Sequence, residues 1–199
     1  MQDREPYETT VRTGSPSLVP EDNLIRRNFF MGGWGGSHVL DHDDGSSHYQ
    51  DTFNFMTRGG CKSNFGSHKN CSFNVVLGGD VGEGGRPCHL NTHQYWTHNT
   101  YVDIDDLSDS PSIPLTTSCL CNLTTIHDQL WQTANNEWST LSGNATFVCQ
   151  AEMGCHGTSC LKFDLRAFQA LGMESGSTIT RAPSAAEAVR RGVALLRPP

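Results

Sequence analysis

The feature that most constrains this chain is a short unit that returns along its first half at near-regular intervals. It reads "RNFFMGG" at 27–33, "TFNFM" at 52–56, "SFNVV" at 72–76 and "HNTYVD" at 98–103. Asn28, Asn54, Asn74 and Asn99 thereby take one equivalent place in each copy. Fainter copies, "CNLTTI" and "GNATFVC", continue the series through Asn122 and Asn144. A repeat of this length with one short apolar run per unit describes a solenoid. Helical repeats are excluded, because no unit holds ten glycine-free residues of 3.6 periodicity. A leucine-rich repeat is excluded because its leucine pattern is absent. The expectation is an all-β chain, a right-handed parallel β-helix of roughly 20–26-residue coils whose strands stack about 4.8 Å apart. Asn at one site per coil then forms a hydrogen-bonded ladder at a turn, and tolerates the left-handed conformation there.

Gly is abundant, at 20 residues, and hydrophobic content is only 36%, which suits turn-rich β structure better than a helical bundle. The organisation expected is a preceding extension or coil remnant over 1–22, coils over 23–160, and a C-terminal segment over 161–199. Within that segment "PSAAEAVRRGVALL" predicts a helix over 184–196, with Ser184 as N-cap and Glu187 completing a capping box. Its apolar face is expected at Ala186, Val189, Val193 and Leu196, and its role is to pack on, or cap, the last coils.

The net charge of −7 argues against a nucleic-acid partner, which requires a basic face. No run approaches the ~18 apolar residues of a membrane span. Eight cysteines and the sequons at Asn70, Asn122 and Asn144 predict disulfides and an extracellular, secreted protein. The N-terminal "MQDREPYETTVRTG" lacks the apolar core of a signal peptide, so the chain reads as a fragment of a longer one, acting as a monomer.

Two segments carry the polar chemistry. "NFFMGGWGGSHVLDHDDGSSHY" (28–49) is followed by "GGCKSNFGSHKN" (59–70), and later by "SCLKFDLRAFQALGMESGST" (159–178). These stretches resemble the pectate-lyase-like right-handed β-helix proteins of the secreted type found in marine protists and invertebrates. The resemblance is good over residues 23–80, moderate over 145–196, and slight between them. It implies the β-helix fold and points to acidic polysaccharide as partner, with β-elimination as the activity.

An offset of 20 residues sets His42 over Lys62, Asp44 over Asn64, and His48 over His68. Even-numbered residues are expected on the outer face, with Cys61 and Ser63 turned inward. Elimination requires a base to remove the proton beside a uronate carboxylate, and a cation to stabilise the resulting anion. Lys62 and Arg58 are the candidate bases, and His42, His48 and His68 the candidate acids. Asn64, Tyr49 and Trp34 are candidate substrate contacts, with Tyr95 and Trp96 as further aromatic platforms. Asp41, Asp43 and Asp44 could converge at a bulge to hold calcium, a hard cation that takes oxygen ligands. Two other classes stay open: a non-catalytic glycan- or calcium-binding surface protein, and a glycoside hydrolase using paired aspartates.

Overall fold

The computed structural model describes residues 21–31, 38–42, 46–63, 67–78, 93–102, 112–115, 131–149 and 161–198. It is built from short strands in parallel sheets with few helices. The first sheet contains β1 (Asn23–Arg26), β4 (Tyr49–Thr52), β7 (Lys69–Ser72), β9 (Gln94–Thr97) and β12 (Trp131–Ala134), in that order. The second contains β2 (Phe29–Met31), β5 (Phe55–Thr57), β8 (Val75–Leu77), β10 (Thr100–Val102), β13 (Glu137–Thr140) and β16 (Thr178–Arg181), again in chain order. A third pair joins β3 (His38–His42) to β6 (Gly60–Ser63). A further sheet joins β11 (Ser112–Leu115), β14 (Thr146–Cys149) and β15 (Leu161–Phe163), with β14 and β15 antiparallel.

Each strand of the first sheet is separated from the next strand of the second by two residues, and those two residues make the corner. The leading residue has positive φ in every case: Arg27 (57°), Phe53 (57°), Phe73 (59°), His98 (58°) and Asn135 (54°). The second is always asparagine: Asn28, Asn54, Asn74, Asn99 and Asn136. The ladder asparagines therefore do not carry the left-handed turn themselves; the residue before each of them does. Left-handed backbone costs about 1–2 kcal/mol for a residue with a β-carbon. Hydrogen bonds offset it: Phe73 N donates to Thr97 O at 3.1 Å, and His98 N to Ala134 O at 3.1 Å.

The asparagines then do what the spacing predicts, along a path that ends elsewhere. Asn54 N donates to Asn74 Oδ1 at 2.8 Å, Asn74 N to Asn99 Oδ1 at 3.0 Å, and Asn99 N to Asn136 Oδ1 at 2.9 Å. From Asn54 on, each side-chain amide reaches back one unit: Asn74 Nδ2 donates to Asp51 O and Asn99 Nδ2 to Cys71 O, both at 2.8 Å. Asn136, not Asn144, is the fifth member. Asn144 lies on an exposed turn after β13, and Asn122 is outside the described residues.

The interior is a column of inward side chains from the second sheet, Met56, Val76, Tyr101 and Trp138, facing Leu40, Cys61, Cys71, Trp96 and Phe147. Tyr101 and Trp138 stack at 4.1 Å. Cys61 and Cys71 form a disulfide inside this core. The other cysteine pairings lie outside the described side chains.

The far end is closed by α1 (Leu165–Ala170) and the segment after it. Asp164 caps this helix by accepting from Ala167 N at 2.8 Å, and Phe168 stacks on Phe147 at 5.0 Å. Glu174, fully buried, terminates the asparagine ladder: its carboxylate accepts from Asn136 Nδ2 at 3.2 Å and Trp138 Nε1 at 3.1 Å. Burial pushes its carboxyl above the ordinary range, against the pull of these hydrogen bonds.

The second helix, α2 (Ala185–Leu195), starts where the sequence indicates: Ser184 Oγ accepts from Glu187 N at 3.3 Å. It packs against the side of the stack. It lies on the outer face of the second sheet, where Ala188 packs with Phe55, Val75, Leu77 and Val102. It is anchored past its middle by Arg191 on Glu137 (3.1 Å) and at its C-terminal end by Arg27 Nη1 donating to Leu195 O (2.9 Å). Its packing face also differs from the one expected. Val189 and Val193 are exposed, while Ala188 and Gly192 are buried, because small residues let the helix axis approach the sheet.

Candidate functional site

Helix α2 covers the second sheet; the outer face of the first carries polar side chains in register. Alternation within each strand sets which residues point out. Leu24, Gln50, Asn70, Tyr95 and Gln132 occupy equivalent positions along one outward column. Arg26, Thr52, Ser72, Thr97 and Ala134 form the next. The amides are tied together. Gln50 Nε2 donates to Asp22 Oδ2 at 3.0 Å, and Asn70 Nδ2 to Gln50 Oε1 at 2.8 Å, while Ser72 Oγ bonds Asn70 Oδ1. Ser72 Oγ and Thr97 Oγ1 lie 3.0 Å apart.

Two ring columns border this polar strip. On the corner side, Phe53 stacks on Phe73 at 5.2 Å and Phe73 on His98 at 4.7 Å, with the Arg27 guanidinium 5.3 Å above the Phe53 ring. At the strand starts, His48 stacks on His68 at 4.7 Å and His68 on His93 at 4.6 Å. These three histidines also have positive φ (64°, 56° and 45°), which turns their rings outward at one height per repeat unit. His48 Nδ1 is 3.5 Å from Asp22 Oδ1, and Ser67 Oγ is 2.6 Å from His68 Nδ1.

The structure separates the residues that the sequence grouped around Lys62. Asp41, not His42, is in register with Lys62, and the two form an ion pair at 2.9 Å on the outer side. Asp41 pairs with Lys62 and His42 with Ser63, 21 residues on, whereas Tyr49 pairs with Lys69, 20 residues on, so β3 stands one residue off the repeat offset. A shift of one residue exchanges the two faces of a strand. His42 consequently points inward, where it is buried and bonds Asp51 Oδ2 through Nε2 at 2.5 Å. Tyr49 stacks on the His42 ring at 3.9 Å, so this tyrosine supports an interior group and is no open platform. Trp96 is likewise interior, at 1% exposure. Lys69, also buried, donates from Nζ to His42 O at 3.1 Å. Asp51 Oδ1 has no hydrogen-bond partner in this buried cluster.

Arg58 is exposed at the corner after β5, with φ of 59° and its N donating to Leu77 O at 2.9 Å. His48 and His68 lie at the start of the first sheet, in the column described above. Trp34, Asp43, Asp44 and Asn64 are outside the described residues. Among the described residues no group of three or more His, Cys, Asp or Glu side chains is placed to hold a metal ion, and no helix is long and apolar enough to cross a membrane.

The members of the strip that sequence reading missed are Gln50, Asn70, Gln132, Phe53, Phe73, His93 and His98. A signal for them was present. His48, His68 and His93 follow one another at the same intervals as Asn54, Asn74 and Asn99. Comparison of the chain with protein-family models, curated proteins and solved structures returns no significant match.

Proposed function

We propose that the parallel sheets are the walls of a right-handed parallel β-helix, and that the outer face of the first sheet binds a glycan without cleaving it. One observation carries this reading: a strip of amides and hydroxyls, Gln50, Asn70, Thr52 and Thr97, free of helix among the described residues, runs along the stack between two columns of rings, with Ser72 buried beneath it. Amides offer a donor and an acceptor side by side, which suits vicinal sugar hydroxyls. Ring edges and faces beside them supply apolar contact for the sugar C–H faces. A strip that repeats with the strands suits a polymer better than a single small molecule. The Cys61–Cys71 disulfide and the sequons favour an extracellular setting for such a ligand.

β-Elimination is the second reading, favoured by the Lys62–Asp41 pair on the neighbouring strand pair, which supplies a cation beside a carboxylate. It ranks lower because His42, a candidate acid, is held inside against Asp51. One experiment decides between the readings. Immobilised neutral and acidic polysaccharides are tested for retention of the protein, and parallel solutions for ultraviolet absorbance of unsaturated uronate, with and without calcium. Retention without unsaturated product supports binding; unsaturated product that disappears in Lys62→Ala supports elimination. Absence of both sinks the glycan reading.

A further inference from the structure

The two ends of the stack are built differently. At the far end the corner places are taken by Gly176, with φ of 73°, and by Ser177, whose Oγ accepts from Asn136 N at 2.8 Å. Ser177 N is spent on Glu174 O at 3.0 Å, so this last rung passes no corner N–H onward. At the near end, among the described residues, β1 pairs only with β4 and β2 only with β5. Asn23 N and Arg27 N donate to the β4 side. Alternation in a parallel ladder therefore turns the N–H groups of Leu24 and Arg26 to the outer edge. The three most exposed large apolar side chains among the described residues, Met31 (75%), Leu24 (60%) and Phe29 (52%), all sit on these two strands. On the inner side Ile25 and Phe30 are only partly covered, and with them the core column ends.

The asparagine ladder has a direction, and that direction says what fits this edge. Each corner asparagine gives its backbone N–H to the side-chain oxygen of the next, from Asn28 N on Asn54 Oδ1 (3.0 Å) to Asn99 N on Asn136 Oδ1. Asn28 Oδ1 alone in this series accepts no hydrogen bond among the described residues, and its Nδ2 falls back on Arg26 O at 3.0 Å and Asn54 Oδ1 at 3.3 Å. The group that completes it is a backbone N–H at the corner of a strand running parallel to β1. A second copy of this chain supplies that group from neither end. Its far end has spent the N–H on Glu174 O, and two near ends joined so that the sheets continue would run antiparallel. Arg26 is exposed with no carboxylate paired to it among the described residues, so an acidic side chain is favoured on the strand laid beside it.

We propose that the β1–β2 edge is a docking site for an extended segment of a partner polypeptide, added as one more parallel rung of strand, two-residue corner and strand. Main-chain bonds to the Leu24 and Arg26 edge hold it, its corner N–H meets Asn28 Oδ1, and its apolar side chains cover Leu24, Phe29 and Met31. The site lies at the end of the stack and is independent of any ligand on the outer face. The probe is a synthetic peptide of this chain's own rung 94–102, QYWTHNTYV, which sets Thr97 beside Arg26 and Asn99 beside Asn28. It binds the full chain at least about tenfold more tightly than a scrambled peptide of the same composition. A paramagnetic label on its N-terminus broadens the signals of Asn23 and not those of Met31, as a parallel strand requires. Hydrogen exchange at the Leu24 and Arg26 amides is fast in the protein alone and slows at least about tenfold with peptide bound. Leu24→Pro removes an edge donor and abolishes the binding. Met31→Lys weakens it, and Asn28→Ala weakens it about threefold or more. A peptide with Thr97→Glu binds about two- to fivefold more tightly than one with Thr97→Lys at low salt. Four results overturn the proposal: no preference over the scrambled peptide; an antiparallel label pattern; edge amides already protected in the protein alone, which assigns the edge to this chain itself; and protection that rises with protein concentration, which assigns it to a second copy.

Discussion

The ring of Phe55 occupies the place that a β-carbon on Gly192 would need: an ideal one would lie 2.3 Å from its Cδ2. Helix α2 and the second sheet are in contact through a missing side chain. Gly192→Ala is expected to force the helix away from Phe55 and destabilise the fold by about 1–3 kcal/mol, as overpacking does. Chemical denaturation of the two proteins measures it. An alanine variant of unchanged stability would mean that the helix is not seated on this ring.

The asparagine ladder gives a second expectation. Asn74 accepts from Asn54 N and donates to Asp51 O inside the protein. Asn74→Ala leaves a buried donor and a buried acceptor unmet, at a loss of about 2–4 kcal/mol. Asn144→Ala, on the exposed turn, should fall within about 0.5 kcal/mol of the parent. Equal losses at both positions would contradict the ladder.

Glu174 makes stability depend on pH in a defined direction. Its carboxyl is raised by burial in the folded state. The protonated form therefore adds stability that is fully present below the unfolded carboxylate value, about 4.3, and is lost as pH rises through the folded value. In Glu174→Gln this dependence disappears. The unfolding free energy of the parent relative to the variant is expected to fall as pH rises above about 4.3. A constant difference across that range would contradict it.

The sequons divide by environment. Asn144 is exposed on a turn, whereas Asn70 lies within the first sheet with its amide donated to Gln50 and its oxygen bonded by Ser72. After secretion from a glycosylating host, the expected glycopeptide is at Asn144, and Asn144→Gln removes the mass shift. Asn70 is expected to stay unmodified, since a glycan there would cover the strip. A glycopeptide at Asn70 would count against the proposed binding face.

Much of the fold was legible because its determinants recur at short intervals. Four of the five ladder asparagines, Asn28, Asn54, Asn74 and Asn99, stand out at short and near-equal spacings. The fifth, Asn136, follows Asn99 by 37 residues, and a count of residues does not register a corner that hydrogen bonding restores across a long insertion. Propensity assigns the left-handed turn to asparagine; Arg27, Phe53, Phe73 and His98 hold it instead, because the residue after the turn must aim its amide at two neighbouring units. The grouping around Lys62 failed on one residue of register at β3, which turned His42 inward and Asp41 out. No periodicity reports a one-residue difference in offset between neighbouring strand pairs. The histidine column was visible in part: His48 over His68 emerged from the repeat, while His93 sat in a segment without the apolar pattern that anchors the alignment.

The two-residue corner separates two duties that most turns combine. Asparagine at the second position holds the stack, and the first position only has to accept positive φ, as arginine, phenylalanine, histidine and asparagine all do here. Its side chain is thus open to change without touching the frame. Such a molecule can alter the surface it presents one rung at a time, with the frame behind it left as it was.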